Sequence, residues 1–298
     1  MPSKNDDMDG VLDSILCGDS RSIIATFPEN SVDMVLCSPP YFRQRDYGAD
    51  GQIGAETTTA EYIENLLQVF HQCQRVLKPC GTLWVNLGDK YLNGQLLGMP
   101  WSVALALQSQ QGWFLRSDII WHKPNAMPSS VVNRPTTDHE YLFLLSKSSK
   151  YYYDADSIRE PHVTFSEQSK MRGGRNHFGK KNGTPEMGKN RGNSNLHTAR
   201  WDQAFHPLGR NRRTVWSIPL SKFPDAHFAV FPEKLAELCI QAGSPTGGVV
   251  LDPFMGSGTT ANVARRLGRR FVGIDISPEY CEMARARLRG CQMTLPLA

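Results

Sequence analysis

Six residues, Val32-Asp33-Met34-Val35-Leu36-Cys37, followed at once by Ser38-Pro39-Pro40-Tyr41, constrain the fold of this chain more than any other stretch. The six form a short, mostly apolar run of the kind buried in a parallel sheet. Two consecutive prolines then fix φ and push the residue before each of them into an extended conformation, so neither strand nor helix continues smoothly. The turn holds the Ser38 hydroxyl and the Ser38 and Pro39 carbonyls at the carboxyl edge of a sheet, where open α/β folds bind ligands, and Tyr41 adds a flat aromatic surface. Taken alone, the four residues suit a plain proline-terminated strand equally well.

The alternation of short apolar runs, polar turns and helices recurs along the chain. Residues 15–19 end in a carboxylate, Asp19, ahead of a helix expected from Ser20 to Pro28. Asp19 is placed either to accept hydrogen bonds from a ligand or to cap that helix. Residues 42–58 carry Arg43, Arg45, Tyr47 and three glycines without periodicity, which reads as a mobile loop. A helix is expected over about 59–77, where Tyr62, Ile63, Leu66, Leu67, Phe70 and Cys73 recur at helical spacing, with Lys78-Pro79 and Gly81 ending it. Strands are expected over 82–87, 113–122 and 138–146, with a helix over 99–110. The intervening Lys123–Ser130 loop is proline-stiffened and expected to lie near whatever Tyr41 faces. After an irregular stretch, a helix over 232–241 and strands over 248–252 and 270–275 lead into a last helix capped by Ser277-Pro278.

The strand over 248–252 runs into Pro253-Phe254-Met255-Gly256-Ser257-Gly258-Thr259-Thr260, and the next strand ends in Asp275. Gly256 and Gly258 let backbone approach a ligand at a strand-to-helix turn. A phosphate-binding P-loop would need a lysine after its last glycine, where Thr259-Thr260 stand, and a dinucleotide fingerprint would need a third glycine at Ala261, a substitution which that pattern sometimes allows. Asp275, 23 residues after Asp252, suits the ribose hydroxyls of any adenosine-containing cofactor. Three carboxylates at strand ends, Asp19, Asp252 and Asp275, suit a cationic ligand better than a pyrophosphate, which favours S-adenosylmethionine over NAD.

Composition narrows the setting. The chain has 298 residues, 40% of them apolar, enough to bury a sizeable core in one large or two small domains. It has no run long enough for a membrane span, and its polar, acidic start is unlike a signal peptide, so a cytoplasmic protein is expected. Seven cysteines without a C-x-x-C pair argue against a disulfide framework and against a zinc ribbon, and no metal is expected. The net charge is +4, yet residues 159–213 hold twelve Lys or Arg against four acids, leaving the remainder acidic. With interleaved glycines, asparagines and aromatics, this stretch suits a phosphate backbone and unstacked bases, and it also suits a solvated loop. Arg172, Arg175, Lys180, Lys181, Arg191, Arg210, Arg212 and Arg213 are its candidate DNA-binding residues.

Together these motifs resemble the beta class of amino-group DNA methyltransferases, in which the catalytic tetrapeptide precedes the cofactor loop. Ser38–Tyr41 is similar to that tetrapeptide, Asp252–Thr260 to the cofactor loop, and His227–Leu235 to the segment that covers the methionine end of the cofactor. The resemblance spans nearly the whole chain. It implies a Rossmann-like α/β sheet with permuted motif order: a first catalytic part over 1–153, a target-recognition insert over 154–215, and a second catalytic part over 216–298. It further implies that Ser38, Pro39, Pro40 and Tyr41 are catalytic: the Ser38 hydroxyl and the Pro39 carbonyl would accept from the exocyclic amine of a base flipped out of double-stranded DNA and stacked on Tyr41. Asp275 would take the cofactor ribose, Asp19 the adenine edge, and the 252–260 loop with His227 and Phe231 the methionine portion. Within the family, Ser at the first tetrapeptide position accompanies N4-cytosine methylation more often than N6-adenine. A partner restriction endonuclease and a homodimer are further implications. The rival readings are a non-catalytic DNA-binding protein of this fold and a nucleotide-dependent oxidoreductase.

Overall fold

Strand β2 (Val32–Cys37) is buried along all six residues and lies inside an eight-stranded sheet. The structure, a computed structural model, describes residues 8–45, 48–49, 51–161, 208–220 and 231–292. His227, Arg172, Arg175, Lys180, Lys181 and Arg191 fall outside them. The chain divides into two compact units, Met1–Asp154 with Thr214–Ala298, and Ala155–Arg213.

The larger unit is built from β1 (Ser14–Cys17), α1 (Ser20–Ala25), β2, α2 (Thr59–Val76), β3 (Leu77–Leu87), a two-stranded hairpin of β4 (Tyr91–Leu92) and β5 (Gln95–Leu96), α3 (Met99–Gln111), β6 (Phe114–His122) and β7 (His139–Ser146). After the second unit come β8 (Val215–Ser217), α4 (Glu233–Gly243), β9 (Val249–Asp252), α5 (Thr259–Arg266), β10 (Arg270–Asp275) and α6 (Pro278–Gln292). The sheet order is β1-β10-β9-β2-β3-β7-β6-β8. Only β7 runs against its neighbours; β1, β10, β9, β2 and β3 pair in parallel, and β6 pairs in parallel with β8. The turns after β1, β2, β3, β6, β9 and β10 therefore gather at one edge. From β9 the chain continues outward to β10, and from β2 outward to β3, so the β9–β2 boundary is a topological switch point, the place where such sheets open a ligand crevice.

Packing explains why these segments take these forms. The α2 helix begins with a capping box, in which the Thr58 side chain accepts from the Glu61 amide and the Glu61 carboxylate accepts from the Thr58 amide. Its buried stripe of Tyr62, Leu66, Val69, Phe70 and Cys73 covers the sheet. Trp84 of β3 and Trp216 of β8 meet with ring centroids 6.4 Å apart.

Two expectations are corrected. The strand after α2 does not wait until Thr82 to begin. The helix stops at Val76 and β3 begins at once, with Leu77 opposite Val32 and Thr82 opposite Met34, so Lys78–Gly81 bulge out of the ladder where proline's missing N–H costs nothing. Residues 215–217, expected to be irregular, form the edge strand β8; three residues are too few to carry a periodic signal. Among the described residues, no helix is long and apolar enough to cross a membrane, and no cluster of three or more His, Cys, Asp or Glu could hold a metal ion.

In the smaller unit, a 3₁₀ turn (Asp156–Ile158) leads to Glu160, which exchanges both backbone hydrogen bonds with Arg210. The Arg210 guanidinium also pairs with the Glu160 carboxylate at 3.0 Å, and Arg212 Nε donates to the Ile158 carbonyl at 2.9 Å. Two of the arginines expected to meet DNA thus hold this unit's own backbone. Arg213, 3.9 Å from Glu160, keeps 70% of its side chain exposed.

Candidate active site

The turn after β2 is fixed from below. Tyr62 of α2 donates its hydroxyl to the Pro40 carbonyl at 2.9 Å, and the Arg43 amide donates to the Gly54 carbonyl at 2.6 Å, closing the following loop back on the turn. Ser38 and Pro40 stand on a wall between two cavities, which also share Arg45 and Phe231.

The first cavity lies over the carboxyl ends of β1, β9 and β10 and is lined by Asp19, Ser20, Pro253, Phe254, Gly256, Ser257, Thr259, Asp275 and Tyr280. Its floor is a loop tied down by carboxylates. Asp252 is 1% exposed and does not face the cavity: it accepts from the Phe254 amide at 2.9 Å and from the Thr260 hydroxyl at 2.5 Å. Burial raises its carboxyl to about 7, with the nearby Asp275 charge adding to the rise and the two donors opposing it. Asp275 accepts from the Gly256 amide at 2.8 Å and from the Ser277 amide at 2.9 Å, and burial raises its pKa above the ordinary value in spite of these bonds. Gly258 has φ 84°, and a Cβ there would sit 2.9 Å from the Ala284 Cβ of α6, so only glycine fits without a shift. Arg287 of α6 braces the loop from outside, donating to the Thr259 hydroxyl at 3.0 Å while pairing with Glu233 at 2.6 Å. Burial would raise Glu233, yet Arg266 and Arg287 hold it below the usual carboxylate range. Asp19 caps α1 by accepting from the Arg21 amide at 2.8 Å, and the Arg21 guanidinium neutralises it at 2.9 Å. Thus Asp19, Phe231, Pro253, Phe254, Gly256, Ser257, Thr259 and Asp275 meet at one cavity, whereas Asp252, Gly258 and Thr260 shape the loop from behind.

The second cavity is lined by Ser38, Pro39, Pro40 and Tyr41, by Lys123 at the head of the loop expected to lie near whatever Tyr41 faces, and by residues that no motif reading singles out: Asn86 of β3, Trp121 of β6 and Glu140 of β7. The Tyr41 hydroxyl donates to Glu140 Oε2 at 2.7 Å and lies 3.3 Å from Ser38 Oγ. Asn86 Nδ2 lies 2.6 Å from Glu140 Oε2, 3.0 Å from Tyr41 Oη and 3.4 Å from Ser38 Oγ. Lys123 forms an ion pair with Glu140 Oε1, and its ammonium sits 4.6 Å from the centre of the Trp121 ring. The Tyr41 ring lies against Gly88, where a Cβ would come within 2.7 Å of its edge. Burial, and then the Glu140 charge, push the Tyr41 phenol well above its ordinary pKa. The available signal in the sequence is one polar residue inside each apolar run, Asn86 in Leu-Trp-Val-Asn-Leu and Glu140 before Tyr-Leu-Phe-Leu-Leu. A polar group in a buried strand requires a partner, but a sequence does not say which.

Comparison with known proteins shows the family and the fold. A family model described as DNA methylase of the N6/N4 type matches residues 32–286. The chain is similar to the Type II methyltransferase M.SmaI of Serratia marcescens, 41% identical over 303 residues that cover 92% of this chain and 90% of that one. It is also similar to the Type II methyltransferase M.Cfr9I of Citrobacter freundii, at 39% over 302 residues, covering 92% and 86%. Among solved structures, the cytosine-N4-specific PvuII DNA methyltransferase superposes with a TM-score of 0.67 over 92% of this chain and 85% of that one, at 23% identity, which speaks to fold alone. A putative DNA modification methylase from Thermus thermophilus, solved with S-adenosyl-L-methionine, superposes with a TM-score of 0.60 over 93% of each chain, at 27% identity.

Proposed function

Because the chain belongs to the N6/N4 DNA methylase family, we propose that its two joined cavities carry out one reaction, the transfer of a methyl group from S-adenosylmethionine to the exocyclic N4 amine of a flipped cytosine. The observation that carries this reading is the shared wall: Ser38 and Pro40 line both cavities, so an amine held at Ser38 faces the first cavity directly. The first cavity fits the cofactor's chemistry. It offers aromatic and apolar walls, close backbone and two carboxylates, Asp19 and Asp275, that offset its two guanidiniums, Arg21 and Arg45, so it has no net positive charge to hold a pyrophosphate and suits a ligand with hydroxyls and amines. Asp275 would hold the ribose hydroxyls, Asp19 with its neighbours the adenine edge, and residues 253–259 with Phe231 the methionine portion. When bound, S-adenosylmethionine supplies a methyl group on a cationic sulfur.

The exocyclic amine of a base is a weak nucleophile because its lone pair is delocalised into the ring. Hydrogen bonds from its two N–H groups to Ser38 Oγ and the Pro39 carbonyl favour a tetrahedral nitrogen and direct the lone pair at the donor cavity. No covalent intermediate forms, and none of the cysteines is used as a nucleophile. Cys37 next to the motif is buried and held well above its ordinary pKa, first by burial and then by the Asp252 charge. Since the amine is shielded inside a duplex, the base must leave the stack, and the second cavity, walled by Tyr41 and Trp121, is where it would lodge. Residues 155–213 are assigned to target recognition on their charge. A restriction endonuclease with the same target belongs to the same reading, by likeness to the Type II relatives, and a homodimeric state is proposed from the family resemblance alone.

Cytosine is preferred to adenine because Ser38 heads the tetrapeptide. Incubation of the protein with plasmid DNA and S-adenosylmethionine, followed by nucleoside mass spectrometry, tests this: 4-methylcytosine is expected. N6-methyladenine would overturn the target assignment, and unmodified DNA would overturn the activity.

A further inference from the structure

From the polar chain that begins at Ser38, and resting on the methyl-transfer reading above, we infer that Glu140 is the terminal acceptor of the proton that the target amine loses, reached through Ser38 and Tyr41. Glu140 is the one carboxylate among the described residues lining the second cavity. Its direction of use follows from proton counting. Glu140 Oε2 can only accept, so the Tyr41 hydroxyl spends its single proton on it at 2.7 Å. Tyr41 Oη is then left as an acceptor, and the contact at 3.3 Å runs from the Ser38 hydroxyl to Tyr41. Ser38 Oγ therefore turns a lone pair toward the cavity, where an amine N–H would lie.

Asn86 fixes this polarity. Its amide nitrogen reaches Glu140, Tyr41 and Ser38 at 2.6, 3.0 and 3.4 Å, and turning the amide over would set its oxygen against the carboxylate. Asn86 is 2% exposed, and its Oδ1 has no partner among the described residues, so the amide is held in place by what its nitrogen touches. From the far side, the Lys123 ammonium pairs with Glu140 Oε1, which leaves Oε2 to accept from Asn86 and Tyr41.

The step balances. The amine N–H bond breaks as its proton joins Ser38 Oγ, the Ser38 proton passes to Tyr41 Oη, and the Tyr41 proton passes to Glu140. The nitrogen's lone pair forms the bond to the methyl carbon as the methyl–sulfur bond breaks, its pair staying on the sulfur and cancelling the sulfonium charge, and the pair of the broken N–H bond stays on nitrogen and offsets the positive charge gained there. Ser38 and Tyr41 end as they began, and Glu140 becomes neutral until the product base leaves and water takes the proton. Because burial and the Glu140 charge hold Tyr41 protonated, its phenol conducts the proton without storing it.

Single-turnover methylation of cognate DNA tests the relay. Glu140→Gln keeps the shape and one oxygen to accept from Tyr41 and Asn86, gives up the ion pair with Lys123 and cannot take the proton, and is expected to slow methyl transfer at least about 100-fold, the size of a lost general base. DNA and S-adenosylmethionine affinities should stay within about 3-fold, because the carboxylate touches neither cofactor cavity nor phosphate. Tyr41→Phe keeps the ring and breaks the same chain, so it should slow the step to a similar degree, and the double variant should be no slower than the worse single one. A Glu140→Gln rate within about 3-fold of the native protein, additive losses in the double variant, or a matching loss of cofactor affinity would each overturn the relay. Absence of methylation by the native protein would instead overturn the activity itself, before any variant is compared.

Discussion

The two cavities differ in how they are made. The donor cavity is a product of three strand-to-helix turns, each continuous in sequence: Gly18-Asp19-Ser20 after β1, Pro253–Thr259 after β9, and Asp275-Ile276 after β10. Its glycines stand where φ is positive, and its acids tie down amides two residues further on, Asp275 also holding the Gly256 amide of the neighbouring turn. The base cavity is assembled from single side chains on strands far apart in sequence, Ser38, Asn86, Lys123 and Glu140, joined only when β3, β7 and β6 pair side by side. The first is therefore a local property of the chain and the second a property of the sheet.

That contrast gives an order of expected damage. Ser38→Ala strikes the wall between the cavities and should cost the most, about 1,000-fold in single-turnover methyl transfer, comparable to removing one transition-state hydrogen-bond partner. S-adenosylmethionine affinity measured by calorimetry should barely change. A matching loss of affinity would mean that the two cavities are not separable in function.

The same contrast explains what could be read before the fold was known. The positions of Asp275, Gly256 and the Ser38–Tyr41 turn at a cavity were legible because each stands in a strand-end turn continuous in sequence, whereas Gly258, expected to bring backbone to a ligand, packs against Ala284 behind the loop. The longer strand runs were legible for the same reason; β8 and the β4–β5 hairpin are too short for a period, and β3 begins at Leu77, ahead of the run expected from Thr82, with Pro79 in a bulge. Asn86 and Glu140 were not legible, since each is a lone polar residue in an apolar strand whose partner is set by strand register: Leu87 lies opposite Tyr141, and Trp121 opposite Glu140. Asp252 was legible in position but not in role. It was expected at the ligand, and the structure buries it beneath the loop, bonded to Phe254 and Thr260.

Asp252 gives the next largest effect, on stability. Its carboxyl is raised by burial from 3.8 to about 7, so the folded state holds a proton that the unfolded chain has lost between those values. For a raised acid the favourable contribution is complete below the unfolded value and disappears as pH climbs to about 7. The unliganded protein should thus lose up to about 4 kcal/mol from this group between pH 4 and pH 8. Asp252→Asn should flatten that part of the profile and make the variant relatively more stable at pH 8 than at pH 5, as read by thermal melts. An unchanged pH slope would mean that the donor loop does not bury a titrating acid.

Asp275→Ala tests the donor cavity from its front. It removes the acceptor for the Gly256 amide along with the proposed ribose contact, so S-adenosylmethionine affinity should fall about 100-fold, roughly 2.7 kcal/mol, with the methyl-transfer rate at saturating cofactor falling much less. If rate falls and affinity holds, Asp275 serves the base side and the division between the cavities is misdrawn.

The smallest effect separates the arginines of the second unit. Arg210 pairs with Glu160 and Arg212 with the Ile158 carbonyl, so their charge is spent on holding backbone together, whereas Arg213 is 70% exposed. If this unit meets the phosphate backbone, Arg213→Ala should weaken DNA binding less than about tenfold and lower the slope of log affinity against log salt by about 0.9, one phosphate contact. Arg210→Ala should leave that slope nearly unchanged and act instead on the local stability of the unit, visible as faster amide exchange at Glu160. Equal slope changes for the two variants would show that the Glu160 pair opens on DNA, making Arg210 a reader of phosphate in the complex and a structural tie only in its absence.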